Sequence, residues 1–104
     1  MKKNISGIVD ISEKAVIKRQ ATATGLLKLS NKSLNAITNK LVKKGDVIEA
    51  STIAAIQAVK DTPRIIPHCH PIPLEACDVS WEITEIGLRC TVEVIAHYKT
   101  GIEM

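Results

Sequence analysis

Aromatic side chains are nearly missing: Trp81 and Tyr98 are the whole set in 104 residues, and there is no phenylalanine. Proteins that grip single-stranded nucleic acid stack bases on several such rings, so that class is disfavoured. Arginine is scarce too, with Arg19, Arg64 and Arg89 alone, which argues against a small basic RNA-binding module. No apolar run reaches the roughly 18 residues of a membrane span, and the basic start Met1–Asn4 is followed by none of signal-peptide length. The expectation is a soluble, cytoplasmic protein without membrane or nucleic-acid partners. Cysteine is limited to Cys69, Cys77 and Cys90. An odd, sparse set without signs of secretion reads as reduced thiols rather than a disulfide framework. The sequence contains no GxxxxGK[ST], GxGxxG or CxxC, and no serine sits on a recognisable nucleophile elbow, so the common nucleotide-binding loops and a serine triad receive no support.

What is present is a chain 45% hydrophobic and 24% charged, long enough for one domain with a thin core, for which self-association is an ordinary remedy. Its net charge of +3 is unevenly spread. Residues 1–70 hold twelve Lys/Arg against five Asp/Glu, and residues 71–104 hold two against six, a balance of +7 and then −4. The basic stretch suits a small-molecule phosphate, a nucleic-acid backbone or simply solvent.

Periodicity gives the elements. The tract Ile8–Ser12 reads as an extended arm or loop, and Lys18–Leu29 allows a strand. Ser30 can cap a helix in which Leu34, Ile37 and Leu41 recur at i, i+3 and i+7, spanning Asn31–Lys43 and closed by Gly45. Asp46 can cap a second helix, apolar over so much of its circumference that burial is expected. Thr62-Pro63 should end it, because the residue before proline is pushed out of the α region. Pro67, Pro71 and Pro73 then predict a rigid extended connection. Cys77–Ile83 and Leu88–Val94 alternate apolar with polar, and Glu85-Ile86-Gly87 between them is of hairpin length. After a turn at Thr100-Gly101 comes Ile102-Glu103-Met104. The order strand, helix, helix, strand, strand indicates an α+β protein.

Three clusters carry possible chemistry. In an extended Pro67-His68-Cys69-His70-Pro71, both histidines would point to one side and Cys69 to the other. Two imidazoles could begin a zinc site only if His97 or a cysteine completed it. They could equally move protons, hold a phosphate or bond to backbone groups. Lys43-Lys44-Gly45-Asp46 joins two helices, where a lysine beside the free N–H groups of the second helix suits an anion, or is merely a cationic helix end. Glu103 follows a glycine turn, and Lys60 lies near a helix C-terminus; both also have ordinary structural readings. Spacing alone leaves an anion site with acid–base groups.

Taken in order, Val9-Asp10-Ile11-Ser12, Lys44-Gly45-Asp46-Val47, Ile53–Lys60, Ile66–Pro71 and Thr100-Gly101-Ile102-Glu103-Met104 resemble the molybdenum cofactor biosynthesis protein C (MoaC) family of cyclic pyranopterin monophosphate synthases. The resemblance spans the whole chain. It implies a ferredoxin-like α+β fold in a hexamer of three dimers, with active sites at subunit interfaces; no cofactor or metal is expected. It also implies the reaction: 3′,8-cyclo-7,8-dihydro-GTP is rearranged into a tricyclic pyranopterin, a cyclic phosphate forms, and pyrophosphate leaves.

By the same resemblance Lys44 and His70 are catalytic, and Arg19, Lys60, Cys69, His70, Glu103 and Met104 bind substrate. Arg19 corresponds to a phosphate-binding arginine, His70 to the histidine of a Cys-His-Pro motif, and Glu103-Met104 to the start of a Glu-Met-Glu tract. His68 stands where a leucine is usual, and Ala55 where a glycine is common. The family continues past the position of Met104 with a long helix carrying an aspartate and a second catalytic lysine in a Tyr-Asp-Met-Cys-Lys context, and the 104 residues hold neither. The expectation is a truncated sequence. The alternative is a degenerate, non-catalytic homologue that binds a phosphate ligand or forms oligomers.

Overall fold

Residues 7–104 are described by a computed structural model; the basic start Met1–Asn4 lies outside the described residues. The elements follow as β1 (Ile17–Lys28), α1 (Asn31–Thr38), α2 (Val47–Ile65), β2 (Ala76–Ile83) and β3 (Gly87–Tyr98). The sheet order is β1-β3-β2, with both pairings antiparallel. β1 and β2 therefore run parallel with β3 inserted between them, the split β-α-β arrangement of ferredoxin-like folds, and the class is α+β.

Register decides which side chains meet. Cys77, Val79, Trp81 and Ile83 lie opposite Val94, Val92, Cys90 and Leu88, which in turn face Ala21, Ala23, Gly25 and Leu27 of β1. These positions form one apolar face, because side chains alternate across a pleated strand. α2 is tied to it where Trp81 Nε1 donates to Thr52 Oγ1 at 2.8 Å. The opposite face carries Lys18, Thr22, Asp78, Glu82, Arg89 and Glu93.

The helix ends depart from expectation in two places. α1 stops at Thr38, not Lys43, because Lys40 adopts the left-handed conformation at φ 57°. Lys40 N–H then reaches Ile37 O at 3.2 Å and Leu41 N–H reaches Ala36 O at 2.8 Å, the paired bonds of a Schellman stop. A lysine is an uncommon residue there, so the sequence pointed past it to Gly45. Gly45 instead closes a separate turn, donating to Val42 O at 3.1 Å with φ 112°. α2, in turn, runs through Pro63 to Ile65. Proline in the last turn forfeits only one backbone bond. Thr62 stays helical, with its hydroxyl on Ala58 O at 2.7 Å and its carbonyl accepting from Ile66 at 2.8 Å.

The connection after α2 opens with a turn, Cys69 N–H donating to Ile66 O at 3.0 Å, rather than running extended from the start. The hairpin joining β2 to β3 is as expected. Its closing group is the Thr84 hydroxyl, which accepts from Ile86 and Gly87 N–H at 3.3 and 3.1 Å.

The core is thin. Leu34, Val59, Cys69, Ile72, Leu88, Val94 and Ala96 are its buried apolar members. α2 buries one face instead of being enclosed, leaving Ile53 63% exposed. The radius of gyration is 18.0 Å, against about 13 Å for a compact chain of this length. No helix among the described residues is long and apolar enough to cross a membrane.

Candidate functional site

The segment after Pro67 and the segment after β3 meet at the C-terminal end of α2. Cys69 is buried, and its Sγ donates to Glu103 Oε2 at 3.3 Å. Burial first, then the hydrogen bond and charge of Glu103, push the Cys69 thiol above its ordinary value, so it is a protonated donor at neutral pH. Next to it, His70 Nε2 lies 2.8 Å from Val9 O. A carbonyl only accepts, so Nε2 carries the proton, and in the neutral ring Nδ1 keeps a lone pair. Val9 belongs to a loop also held by Lys99, whose Nζ donates to Ser12 O at 3.4 Å. Within that loop Asp10 accepts from Ser12 N–H at 2.9 Å, which lowers the Asp10 carboxyl.

Two cavities flank Glu103-Met104. One of about 230 Å³ is lined by Lys60, Pro63, Pro71, Ile72, Leu74 and Met104. The other, of about 310 Å³, lies between the small side chains of Ala21 and Ala23 on β1, the valines of β3, and Ala55, Ala58 and Val59 of α2, with Ile102, Glu103 and Met104 at its edge. Arg19 stands two residues before Ala21, hence on the same sheet face about 7 Å away. Its Nε is buried and has no hydrogen-bond partner among the described residues. A guanidinium N–H shielded from water without a partner is a donor ready for an anion.

The sequence-derived candidates thus divide. Lys60, Cys69, His70, Glu103 and Met104 lie about the C-terminal end of α2, linked by the Cys69–Glu103 bond and the cavity that Lys60 shares with Met104, while Arg19 lies on β1, two residues before the strand's part of the second cavity. Lys44 does not join them. It is exposed in the Val42–Gly45 turn, just before Asp46 caps α2 by accepting from Glu49 N–H at 3.2 Å. Lys44 has no hydrogen bond or ion pair among the described residues. The 19 residues of α2 separate it from the other group by about 28 Å along the helix axis.

The two histidines also part company. The Ile66–Cys69 turn breaks the extended alternation, leaving His68 exposed while His70 is half-buried on Val9. His97 sits on the other face of the sheet, where its Nδ1 bonds the Glu75 carboxylate and lowers that carboxyl. Among the described residues no group of three or more His, Cys, Asp or Glu is placed to hold a metal ion. Sequence reasoning assigned no role to Val9. Its contribution is a backbone carbonyl, which side-chain patterns do not report.

The MoaC family description matches residues 8–104. A probable cyclic pyranopterin monophosphate synthase of Sulfurisphaera tokodaii is 53% identical over 97 residues, which are 93% of this chain and 64% of the relative. Proteins of the same name from Methanospirillum hungatei and Sulfolobus acidocaldarius are each 44% identical over 97 residues, covering 62% and 68% of their own lengths. The chain spans about two thirds of the length of these relatives.

Proposed function

Because this chain belongs to the MoaC family, we propose that it acts as a cyclic pyranopterin monophosphate synthase, a lyase of molybdenum cofactor biosynthesis. Its substrate in this reading is the cyclised dihydro-GTP, a triphosphate. The observation that supports the reading is the pair of cavities about Met104, one lined by Lys60 and the other edged by Glu103, with His70 following the Cys69 that holds Glu103, in a chain 53% identical to a probable synthase.

The chemistry asks for three things. Forming a cyclic phosphate requires a substrate hydroxyl to attack the α-phosphorus while the bond to the β-phosphoryl oxygen breaks and pyrophosphate leaves with the electron pair. The hydroxyl proton needs a base, for which His70 Nδ1 is suited because Nε2 is committed to Val9. The developing charge on the leaving pyrophosphate needs cations, which Arg19, Lys60 and Lys44 supply. Glu103 accepts from the N–H edge of the purine-derived ring and so orients it.

Lys44 lies too far along α2 to meet His70 within one copy, so the complete site in this reading forms between two copies, in a hexamer of three dimers. The broad exposure of Leu41, Ile53 and Ile65 (63 to 73%) supports such assembly. The protein works in the cytoplasm, with no cofactor, nucleic acid or membrane as partner. The second reading, a phosphate-binding or oligomer-forming homologue without turnover, is favoured by the isolation of Lys44.

Incubating the purified protein with the cyclised dihydro-GTP tests the first reading. Pyrophosphate and the pyranopterin should appear in equal amounts. Saturable binding with neither product would establish the second reading instead.

A further inference from the structure

Glu103 lies in the irregular segment after β3, exposed, with no ion-pair partner among the described residues. A carboxylate on such a segment has several rotamers open to it. The side-chain group holding it is the Cys69 thiol, 34 positions away in sequence and itself 3% exposed. Cys69 is a fixed post. Its backbone N–H closes the Ile66 turn at 3.0 Å, and prolines 67 and 71 restrict the chain on either side. The thiol also lies 3.6 Å from the His70 carbonyl. A single S–H serves one acceptor at a time, and the nearer, charged Glu103 oxygen is the stronger.

We propose that Cys69 is the positioning residue for Glu103: its thiol engages Oε2 and turns Oε1 toward the substrate's N–H donors. The inference rests on the reading above, in which Glu103 holds the substrate ring. Cysteine suits the place because it is small and apolar enough to be buried, yet still donates. The raised thiol keeps its proton at neutral pH, so it is a donor and not a nucleophile or redox centre.

The test compares wild type, Cys69→Ala, Cys69→Ser and Glu103→Gln with the Cys69→Ala/Glu103→Gln double variant. Cys69→Ala should lose about tenfold in kcat/KM, chiefly through KM, and Cys69→Ser should recover most of it, because the hydroxyl restores a donor. In the Glu103→Gln background Cys69→Ala should cost less than it does in wild type, because the neutral amide oxygen is a weaker acceptor for the thiol. A separate readout needs no substrate: alkylation of Cys69 followed by peptide mass mapping, so that Cys77 and Cys90 are scored apart. The pH midpoint of that alkylation should fall in Glu103→Gln, where the neighbouring negative charge is gone. An unchanged midpoint, a wild-type Cys69→Ala, or additive losses in the double variant would overturn the proposal. A wild type that releases no pyrophosphate would defeat the functional reading instead, while the alkylation midpoint would still decide whether Cys69 and Glu103 are coupled.

Discussion

His70 Nε2 donates to the carbonyl of Val9 at 2.8 Å, across 61 residues of sequence. That bond fixes the neutral ring as the Nε2–H tautomer and leaves Nδ1 as the basic atom. Long-range nitrogen–proton correlation NMR of the neutral ring should show His70 protonated on Nε2. A ring protonated on Nδ1 would remove it as the proposed base.

The Lys40 backbone predicts a stabilising change. A non-glycine residue in the left-handed region costs roughly 1–2 kcal/mol, so Lys40→Gly should raise unfolding stability by about 1 kcal/mol. The exposed Lys40–Asp46 ion pair at 3.8 Å offsets little of that. Urea denaturation measures it; a destabilised variant would show that α1 does not end in this way.

Gly87 and Val59 test the sheet and its helix. A Cβ at Gly87 would overlap the Leu27 carbonyl oxygen of β1, so Gly87→Ala must part β1 from β3 and should abolish cooperative unfolding. Val59, buried on α2, should cost about 2 kcal/mol when cut to alanine. Wild-type stability in either variant, by the same denaturation, would refute the packing.

The architecture was legible where patterning and packing agree. Alternation from Cys77 to Val94 marked both strands of the hairpin, and Ser30 and Asp46 marked the starts of α1 and α2, each accepting from the N–H three residues on. It was illegible where one residue defies its usual preference: Lys40 in a glycine's conformation, and Pro63 held in a helix by Thr62. Cys69 and His70 stood out by their prolines. That they face different partners, Glu103 and Val9, depends on contacts distant in sequence.

Alkaline pH should weaken the fold through two thiols. Burial is the leading cause that raises Cys69 and Cys77 above their ordinary 9.0, so the folded state holds those protons more tightly than the unfolded. Their contribution is complete below pH 9.0 and is lost as pH climbs through the raised values. Denaturation at pH 8 and pH 10 should show a drop that shrinks in Cys69→Ser. An equal drop in both proteins would contradict it.

Complementation tests most directly whether two copies build one site. Lys44→Ala and His70→Ala should each be inactive alone in pyrophosphate release. Unfolded and refolded together in equal amounts, half of the random dimers are mixed, and each mixed dimer has one intact site of two, so about a quarter of wild-type activity should return. A mixture as inactive as its components, or a Lys44→Ala protein with full activity by itself, would contradict the account.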